Sequence, residues 1–325
     1  DLGEADLEQR TDMRFTNVPP FRPQGEQRDI LAALDILQKA KRPVIISGGG
    51  VKYSQASAAL TQFAEGLNIP VATSLNGKDT FLANHPLSAG VVGTYSRGSA
   101  NQIVKNADTV CFIGTKTGGM TTHFWNIPEV GIPAIQIDID PAEIGRNYPL
   151  KASVQGDALT VLEKMLTLMD TSTGKNRGNW VKECNKIVSN WYSDFDTLLK
   201  SDNVPLRPER LCRELTKLVP SDSLIVVDTG HAGMWMGGMF DITSPYQNYI
   251  RSAGHLGWAF PAALGAKCAL PQRPVVCFPG DAGFWYHIAE IETAVRWNIN
   301  SIIAVSYTHL RAHETDSYLV CRLLL

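Results

Sequence analysis

The stretch PVVCFPGDAG, residues 274–283, decides the fold class of this chain. Its first part, Pro274–Phe278, lacks the polar alternation of a half-exposed strand, which predicts a strand buried on both faces. The strand ends at Pro279-Gly280-Asp281, and an apolar helical pattern follows at Ile288–Trp297. A buried strand that leads through a glycine loop into a helix is the repeating unit of a parallel α/β sheet.

The same alternation of strand and helix recurs towards the amino end of the chain, and one further strand is predicted after residue 300. The other predicted strands are Pro43–Ser47, Pro70–Thr73, Thr109–Ile113, Ala134–Ile139, Leu224–Val227 and Ser301–Val305, and the other predicted helices are Ile30–Lys41, Ala56–Leu67, Leu159–Met169 and Trp180–Leu199. This alternation predicts an α/β protein with two doubly wound parallel-sheet domains.

The predicted domain limits follow from changes in composition along the chain. We expect a Rossmann-like central domain at 28–168, a polar connector at 169–204 and a second α/β domain at 205–305. Residues 1–27 carry three prolines among polar residues, which is linker composition. Residues 306–325 break the preceding pattern without clear turn chemistry, and we expect them to be a non-native tail.

Composition excludes several classes of function. The 325 residues are 44% hydrophobic and 19% charged, with a formal net charge of -2, so there is no basic excess for nucleic acid or an anionic membrane. No apolar run approaches the roughly 20 residues that span a bilayer. The six cysteines form no CxxC pair, which favours free thiols in a reducing compartment over disulfides or zinc. We therefore expect a cytoplasmic protein.

Glycine clusters follow most of the predicted strands, where ligands bind in open α/β sheets. They are Gly48–Gly50, Gly114–Gly119, Asp228–Gly233, Gly254–Gly257 and Gly280–Gly283. Glycines also end strands without binding anything, and the GxGxxG spacing of an NAD site is missing. Asp281 has two interpretations from the residues alone. It suits a Mg²⁺ ion that bridges a diphosphate, or it caps the following helix.

Longer segments resemble the thiamine-diphosphate-dependent enzymes, in particular their acetolactate synthase-like branch. The segments are GDAGFWYHIAEIETAVRWNINSIIAV (280–305), RSAGHLGWAFPAALGAKCALPQRPVVCF (251–278), VVDTGHAGMW (226–235), HPLSAGVVGTYS (85–96) and IQIDIDPAEIGRN (135–147). Their order along the chain is similar to the family's central domain followed by its cofactor-binding domain. The resemblance implies a thiamine-diphosphate- and Mg²⁺-dependent enzyme that forms a homodimer or homotetramer.

The resemblance also implies site residues. Asp281 falls on the family's Mg²⁺ ligand, and the implied cofactor-binding residues are Gly230, His231, Ala232, Gly254, His255, Leu256, Gly257, Gly280, Asp281, Ala282 and Gly283. Ala282 replaces the second glycine of the family motif, which requires an ordinary backbone angle or some strain. Either Leu256 or Trp258 is expected to supply the apolar side chain that bends the cofactor.

The implied reaction is carboligation of a 2-oxo acid such as pyruvate. The alternatives are a decarboxylase or lyase of the same family acting on 2-oxo acids or acyl-CoA, a non-catalytic nucleotide-binding module, and a structural subunit. FAD, which acetolactate synthases hold with an arginine after the strand corresponding to Thr109–Ile113, is doubtful because Gly114–Gly119 contains no arginine.

Two departures from the family bear on catalysis. Tyr307 and Thr308 stand where the family has its closing Asn pair. The family's N-terminal pyrimidine-binding domain, which carries the glutamate that activates the cofactor, is expected to precede residues 1–27. No catalytic residue is therefore assigned within this chain, and we expect the chain alone to be inactive.

Overall fold

Two parallel sheets organise the chain. The computed structural model describes the backbone of residues 21–309 and 318–324 and the side chains of residues 21–306. Most of the predicted linker at 1–27 and of the predicted tail at 306–325 lies outside the described residues, as do the side chains of Tyr307 and Thr308. In the described part of the chain, no helix is long and apolar enough to cross a membrane.

The first sheet has six parallel strands in the order β3-β2-β1-β4-β5-β6. The strands are β1 (Pro43–Ser47), β2 (Val71–Thr73), β3 (Ser88–Val91), β4 (Thr109–Ile113), β5 (Ala134–Asp138) and β6 (Leu150–Gln155). The order reverses between β1 and β4, which makes the sheet doubly wound and opens a crevice at that point. All residues of β1, β4 and β5 are buried, as their continuous apolar runs predict.

Helices cover both faces of this sheet. They are α1 (Gln27–Lys39), α2 (Gly49–Tyr53), α3 (Ser57–Leu67), α4 (Gly98–Lys105), α5 (Gly119–Thr122) and α6 (Ala158–Leu168), with a 3-10 segment at Leu75–Thr80. In α1 the apolar residues recur at helical spacing, and Ile30, Ala33, Leu34 and Leu37 are the ones that it buries. A 3-10 turn at Thr171–Arg177 leads into α7 (Gly178–Leu199), the long helix of the connector.

The second sheet has the order β11-β10-β9-β7-β8. Its strands are β7 (Leu224–Val227), β8 (Asn248–Arg251), β9 (Val275–Phe278), β10 (Ile302–His309) and β11 (Tyr318–Leu324), and its helices are α8 (Pro208–Leu218), α9 (His231–Gly238), α10 (Ala259–Ala269), α11 (Asp281–Tyr286) and α12 (Glu290–Arg296). The pairs joining β8, β7, β9 and β10 are parallel, and β11 pairs antiparallel to β10. The predicted fold class is confirmed.

An ion pair of the first block contacts the edge strand of the second sheet. The Asp79 side chain is 1% exposed and lies 2.6 Å from Lys52 Nζ. Asp79 also accepts a hydrogen bond from the backbone N–H of Tyr249 at 2.9 Å. Tyr249 lies in β8, the edge strand of the second sheet. The Asp79 side chain therefore binds a backbone N–H that an edge strand would otherwise leave without a partner in the sheet.

Candidate functional site

Three loops meet at one edge of the second sheet. β7 is parallel to β8 and to β9, and Val227 pairs with both Arg251 and Phe278, so the three strands end together. The loops that follow them contain all the predicted cofactor-binding residues. The sheet topology therefore brings sequence segments 228–232, 254–257 and 280–283 to the same edge.

Asp228 is the residue that ties these loops together. It is 1% exposed, and its two carboxylate oxygens accept hydrogen bonds from the backbone N–H of Gly257 at 3.0 and 3.1 Å. Oδ1 also accepts from the N–H of Thr229 at 2.8 Å. From the sequence alone, Asp228 stands only at the start of a glycine cluster. An acidic residue directly after four buried apolar residues was the signal that could have identified it.

Gly257 and Gly283 allow the loops to pack on this carboxylate. A Cβ atom at Gly283 would stand 2.4 Å from Asp228 Oδ2. A Cβ atom at Gly257 would stand 3.1 Å from Tyr286 and 3.2 Å from the Gly283 carbonyl, and Gly257 has a φ of +91°. Both positions therefore require glycine, one for space and the other for space and backbone conformation.

Burial is the main influence on the ionisation of Asp228. It raises the pKa of the carboxyl group above its ordinary value, and the backbone N–H groups of Thr229 and Gly257 and the charge of His255 oppose that rise. Hydrogen bonds to the charged form are the means by which a protein keeps a buried carboxylate ionised. The loop N–H groups thus stabilise the ionised carboxylate of Asp228, and the carboxylate in turn holds the loops in place.

The outer surfaces of the same loops are open. Among the described residues, no atom lies within 4 Å of a Cβ atom built at Gly230, Gly254 or Gly280. Gly230 has a φ of +70° and begins α9 as its N-cap residue. A group such as a phosphate could therefore approach the backbone at these three glycines without meeting a side chain.

Asp281 is the first residue of α11 and is half-buried. Gly280, not Asp281, is the N-cap, and no side-chain cap bond is made there, so the helix-cap interpretation is wrong. Within residues 21–306, no hydrogen bond or ion pair occupies the Asp281 carboxylate. Ala282 is not among the residues with positive φ, so the missing second glycine causes no backbone strain.

The other predicted residues separate into exposed and buried ones. His231, His255 and Leu256 are exposed, Leu256 by 39%. Trp258 packs against the hydrophobic cluster beneath α10, and Ala232 is 1% exposed within the cluster on the opposite face of the sheet. His231, His255 and Leu256 therefore present large exposed side chains at this edge, and the exposed Ala282 adds a methyl group.

The first sheet has a crevice of its own. A cavity of about 320 Å³ lies where the strand order reverses, and its lining includes Gly50, Gly114, Asp138 and Gly156. Gly50 and Gly114 pack backbone to backbone, since a Cβ atom at Gly50 would stand 2.7 Å from the Cα atom of Gly114. This is the position at which doubly wound sheets bind nucleotides.

Comparison with known families agrees with this arrangement. The sequence model described as "Thiamine pyrophosphate enzyme, central domain" matches residues 30–165. The one described as "Thiamine pyrophosphate enzyme, C-terminal TPP binding domain" matches residues 228–307. The second match begins at Asp228 and covers all three loops at the edge of the second sheet.

Curated relatives point the same way. The chain is 33% identical to the probable acetolactate synthase large subunit of Methanococcus aeolicus, over 86% of the chain and 49% of that protein. It is 32% identical to the protein of the same name from Methanocaldococcus jannaschii, over 93% of the chain and 52% of that protein. It is also 29% identical to the sulfoacetaldehyde acetyltransferase of Alcaligenes xylosoxydans xylosoxydans, over 91% of the chain and 53% of that protein.

The chain thus spans about half the length of the curated relatives that it matches. Two family matches, one on each of the two parallel-stranded blocks, establish the family to which the chain belongs. The chain belongs to the thiamine pyrophosphate (thiamine diphosphate) enzymes, and it carries their central domain and their C-terminal cofactor-binding domain.

Proposed function

We propose that this chain is part of a Mg²⁺- and thiamine-diphosphate-dependent enzyme that joins 2-oxo acids, with pyruvate as donor. The observation that carries the proposal is the group of three open glycine loops tied together by Asp228. Among them lies the carboxylate of Asp281, which has no partner within residues 21–306. A carboxylate beside backbone amides suits a hard cation that bridges a diphosphate.

The residues of the chain then take separate roles. Asp281 would ligate the Mg²⁺ ion, and the backbone at Gly230 and Gly280 would accept the diphosphate. Leu256, with its exposed side chain, would contact the rings of the cofactor, whereas Trp258 is partly buried against a core cluster. Thiamine diphosphate supplies the electron sink on which loss of CO₂ from a 2-oxo acid depends.

The names of the relatives support carboligation over simple decarboxylation. Two relatives are probable acetolactate synthase large subunits, and a third, at similar identity, is an acetyltransferase acting on sulfoacetaldehyde. The alternative is a decarboxylase or lyase of the same family. The products distinguish them. A chimera that joins residues 21–305 to the remaining parts of the Methanococcus aeolicus relative should form acetolactate from pyruvate, and release of acetaldehyde alone would favour the alternative.

The chain by itself is proposed to bind the cofactor without turning over substrate. Within the described residues, no group of three or more His, Cys, Asp or Glu side chains is placed to hold a metal ion. Asp281 therefore needs phosphate oxygens, water or further protein ligands to complete a Mg²⁺ site. The expected result is measurable cofactor binding together with no consumption of pyruvate.

FAD is not part of the proposal. The loop Gly114–Gly119 beside the crevice of the first sheet offers Lys116 as its only charged side chain. Lys116 lies 3.6 Å from Glu143. Purified chain is expected to show no flavin absorption, and a bound flavin would overturn this view.

A second copy of the chain is the proposed partner. Large apolar side chains are exposed on α11 and at the end of α12, among them Trp285 at 62%, Tyr286 at 63%, Val295 at 76% and Trp297 at 70%. α12 buries none of its residues. Apolar surface of this kind marks an interface. Light scattering after size-exclusion chromatography should give a dimer or tetramer, and a monomer at all concentrations would contradict the proposal.

Calorimetric titration tests the core of the proposal. Thiamine diphosphate should bind in MgCl₂ and should bind much more weakly in EDTA. Asp281→Asn should weaken binding by about tenfold or more, because it removes the charge that faces the cation. Asp222→Asn is the matched control, since Asp222 is an exposed aspartate that precedes the opposite end of β7. Equal affinities of the two variants would refute the assignment of Asp281, and the absence of any binding would favour a nucleotide-binding or structural role.

A further inference from the structure

The carboxyl end of α9 is held by two cations of the central domain. Lys78 Nζ donates to the carbonyl of Gly237 at 2.9 Å, and Arg97 Nε donates to the carbonyl of Gly238 at 2.9 Å. The last carbonyls of a helix have no partner within it and carry partial negative charge. Lys78 and Arg97 are buried, at 6% and 3% exposure, so these contacts are shielded from water.

Arg97 also connects α9 to the connector. Its Nη2 lies 2.6 Å from Asp241 Oδ1, and its Nη1 donates to the Tyr192 hydroxyl at 2.8 Å. That hydroxyl donates to the second oxygen of Asp241 at 2.9 Å, and the guanidinium lies 4.5 Å from the ring centre of Trp191. Burial opposes ionisation of Asp241, but Arg97 and Lys78 outweigh it and lower the pKa of this carboxyl group.

The packing of α9 on the central domain needs small residues. A Cβ atom at Gly237 would stand 2.8 Å from Leu75 Cδ1 and 3.1 Å from the Tyr95 carbonyl, and one at Gly238 would stand 3.2 Å from the Ser96 carbonyl. Three of the five buried residues of α9 are glycines. These glycines bury little apolar surface themselves, so the apolar anchoring of α9 comes chiefly from Ala232 and Met236.

We propose that Lys78 and Arg97, with Asp241, form an interdomain clamp that positions the cofactor loop. The clamp holds the carboxyl end of α9, and the amino end of the same helix carries Gly230 and His231 of the candidate cofactor site. Eight helical residues span only about 12 Å, so a shift at one end is passed to the other. The inference rests on the proposed function for its ligand and extends it to residues of the other domain.

Hydrogen exchange and cofactor affinity, measured on the full 325-residue chain, test the clamp. Lys78→Met removes the bond to Gly237, and Lys78→Gln keeps an N–H donor. Lys267→Met is the matched control, because Lys267 donates to the Arg273 carbonyl at 2.8 Å near the opposite edge of the second sheet. Exchange of the α9 amides is compared with the rest of the chain, and affinity for thiamine diphosphate is measured in MgCl₂.

Lys78→Met is expected to raise α9 exchange and to weaken thiamine diphosphate binding, each about tenfold, because a buried carbonyl loses its partner. Exchange elsewhere should match that of Lys267→Met, and Lys78→Gln should recover most of both effects. A purely structural Lys78 would instead change exchange throughout the second domain. Identical behaviour of Lys78→Met and Lys267→Met would overturn the clamp.

Two further results decide the remaining cases. If the unchanged chain binds no thiamine diphosphate, the proposed function fails and the positioning role fails with it, while faster α9 exchange in Lys78→Met still establishes that the clamp holds the helix. If Lys78→Met does not fold, Tyr192→Phe carries the test, since it removes one partner from both Arg97 and Asp241. Faster exchange in α9 supports the clamp, and unchanged exchange refutes it.

Discussion

The carboxylate of Asp228 is hydrogen-bonded to the backbone of Gly257. Both of its oxygens accept from the Gly257 N–H, at 3.0 and 3.1 Å. A side chain at the end of β7, which lies between β9 and β8, therefore sets the position of the loop after the edge strand β8. The Oδ2 atom of Asp228 also leaves no room for a Cβ atom at Gly283, in the first turn of the helix α11 that follows β9. One buried acid thus organises the edge of the sheet where the cofactor is proposed to bind.

Replacing Asp228 by alanine should loosen this edge. The N–H groups of Thr229 and Gly257 would lose their acceptor, and an unsatisfied buried donor costs about 1–3 kcal/mol. We expect the free energy of unfolding to fall by about 2 kcal/mol or more and thiamine diphosphate binding to weaken. Urea denaturation measures the first effect, with Asp222→Ala as control. A change no larger than that of the control would contradict the role of Asp228.

Substitution by alanine should cost different amounts of stability at Gly283 and at Gly280. Gly283→Ala places a methyl group against the Asp228 carboxylate and should cost about 1–3 kcal/mol of stability. Gly280→Ala places the same group in open space with an ordinary backbone φ of -78°. Its unfolding temperature should stay close to that of the unchanged chain. Equal losses for the two variants would mean that the packing around Asp228 is not the cause.

Lys78 should make stability depend on pH. Burial, followed by the charge of Arg97, lowers the pKa of Lys78 to about 7, against weaker opposing effects of Asp241, Cys212 and Asp79. Above that pH the folded chain releases a proton that the unfolded chain keeps up to the usual lysine pKa of 10.5, so stability rises with pH across this window.

Unfolding titrations of the unchanged chain and of Lys78→Met measure this dependence. The stability difference between the two should move in favour of the unchanged chain by roughly 2 kcal/mol between about pH 7 and about pH 9. Taking the difference cancels groups that titrate in both proteins. A difference that is constant with pH would show that Lys78 does not titrate in this window.

Alanine substitutions at Leu256 and Trp258 should have different effects, one on cofactor binding and the other on stability. Leu256 is 39% exposed, so Leu256→Ala should weaken thiamine diphosphate binding with little loss of stability. Trp258 packs against the cluster beneath α10, so Trp258→Ala should cost about 3 kcal/mol or more through the cavity that it leaves. Calorimetry and thermal unfolding of both variants provide the comparison, and the reverse result would exchange the two roles.

Local sequence patterns were sufficient to predict the buried strands. β1, β4 and β7 have the predicted bounds, because a strand buried on both faces needs a continuous apolar run and such a run is visible without its partners. The strands β3, β6 and β8 were missed. They lie at or next to sheet edges, and their residues are only partly buried, so no such run marks them.

The end of the second domain shows the same limit. The predicted helix Ile288–Trp297 is shorter, at Glu290–Arg296, and α11 precedes it as a separate helix. No residue of α12 is fully buried in a single chain, so its apolar pattern does not correspond to a buried helix face. The domain limits and the cofactor residues stay predictions, although the loops that contain those residues do meet.

The sequence by itself determined the fold class, the family and the glycine loops, because strand burial and close backbone approach leave their mark on consecutive residues. Tertiary structure alone decided which side chains connect those loops to each other and the two domains to each other. Asp228 reaches Gly257 across 29 positions, and Arg97 reaches Asp241 across 144. Contacts between residues so far apart in the sequence depend on the strand order and on how the two domains pack. Local sequence patterns predict neither of these.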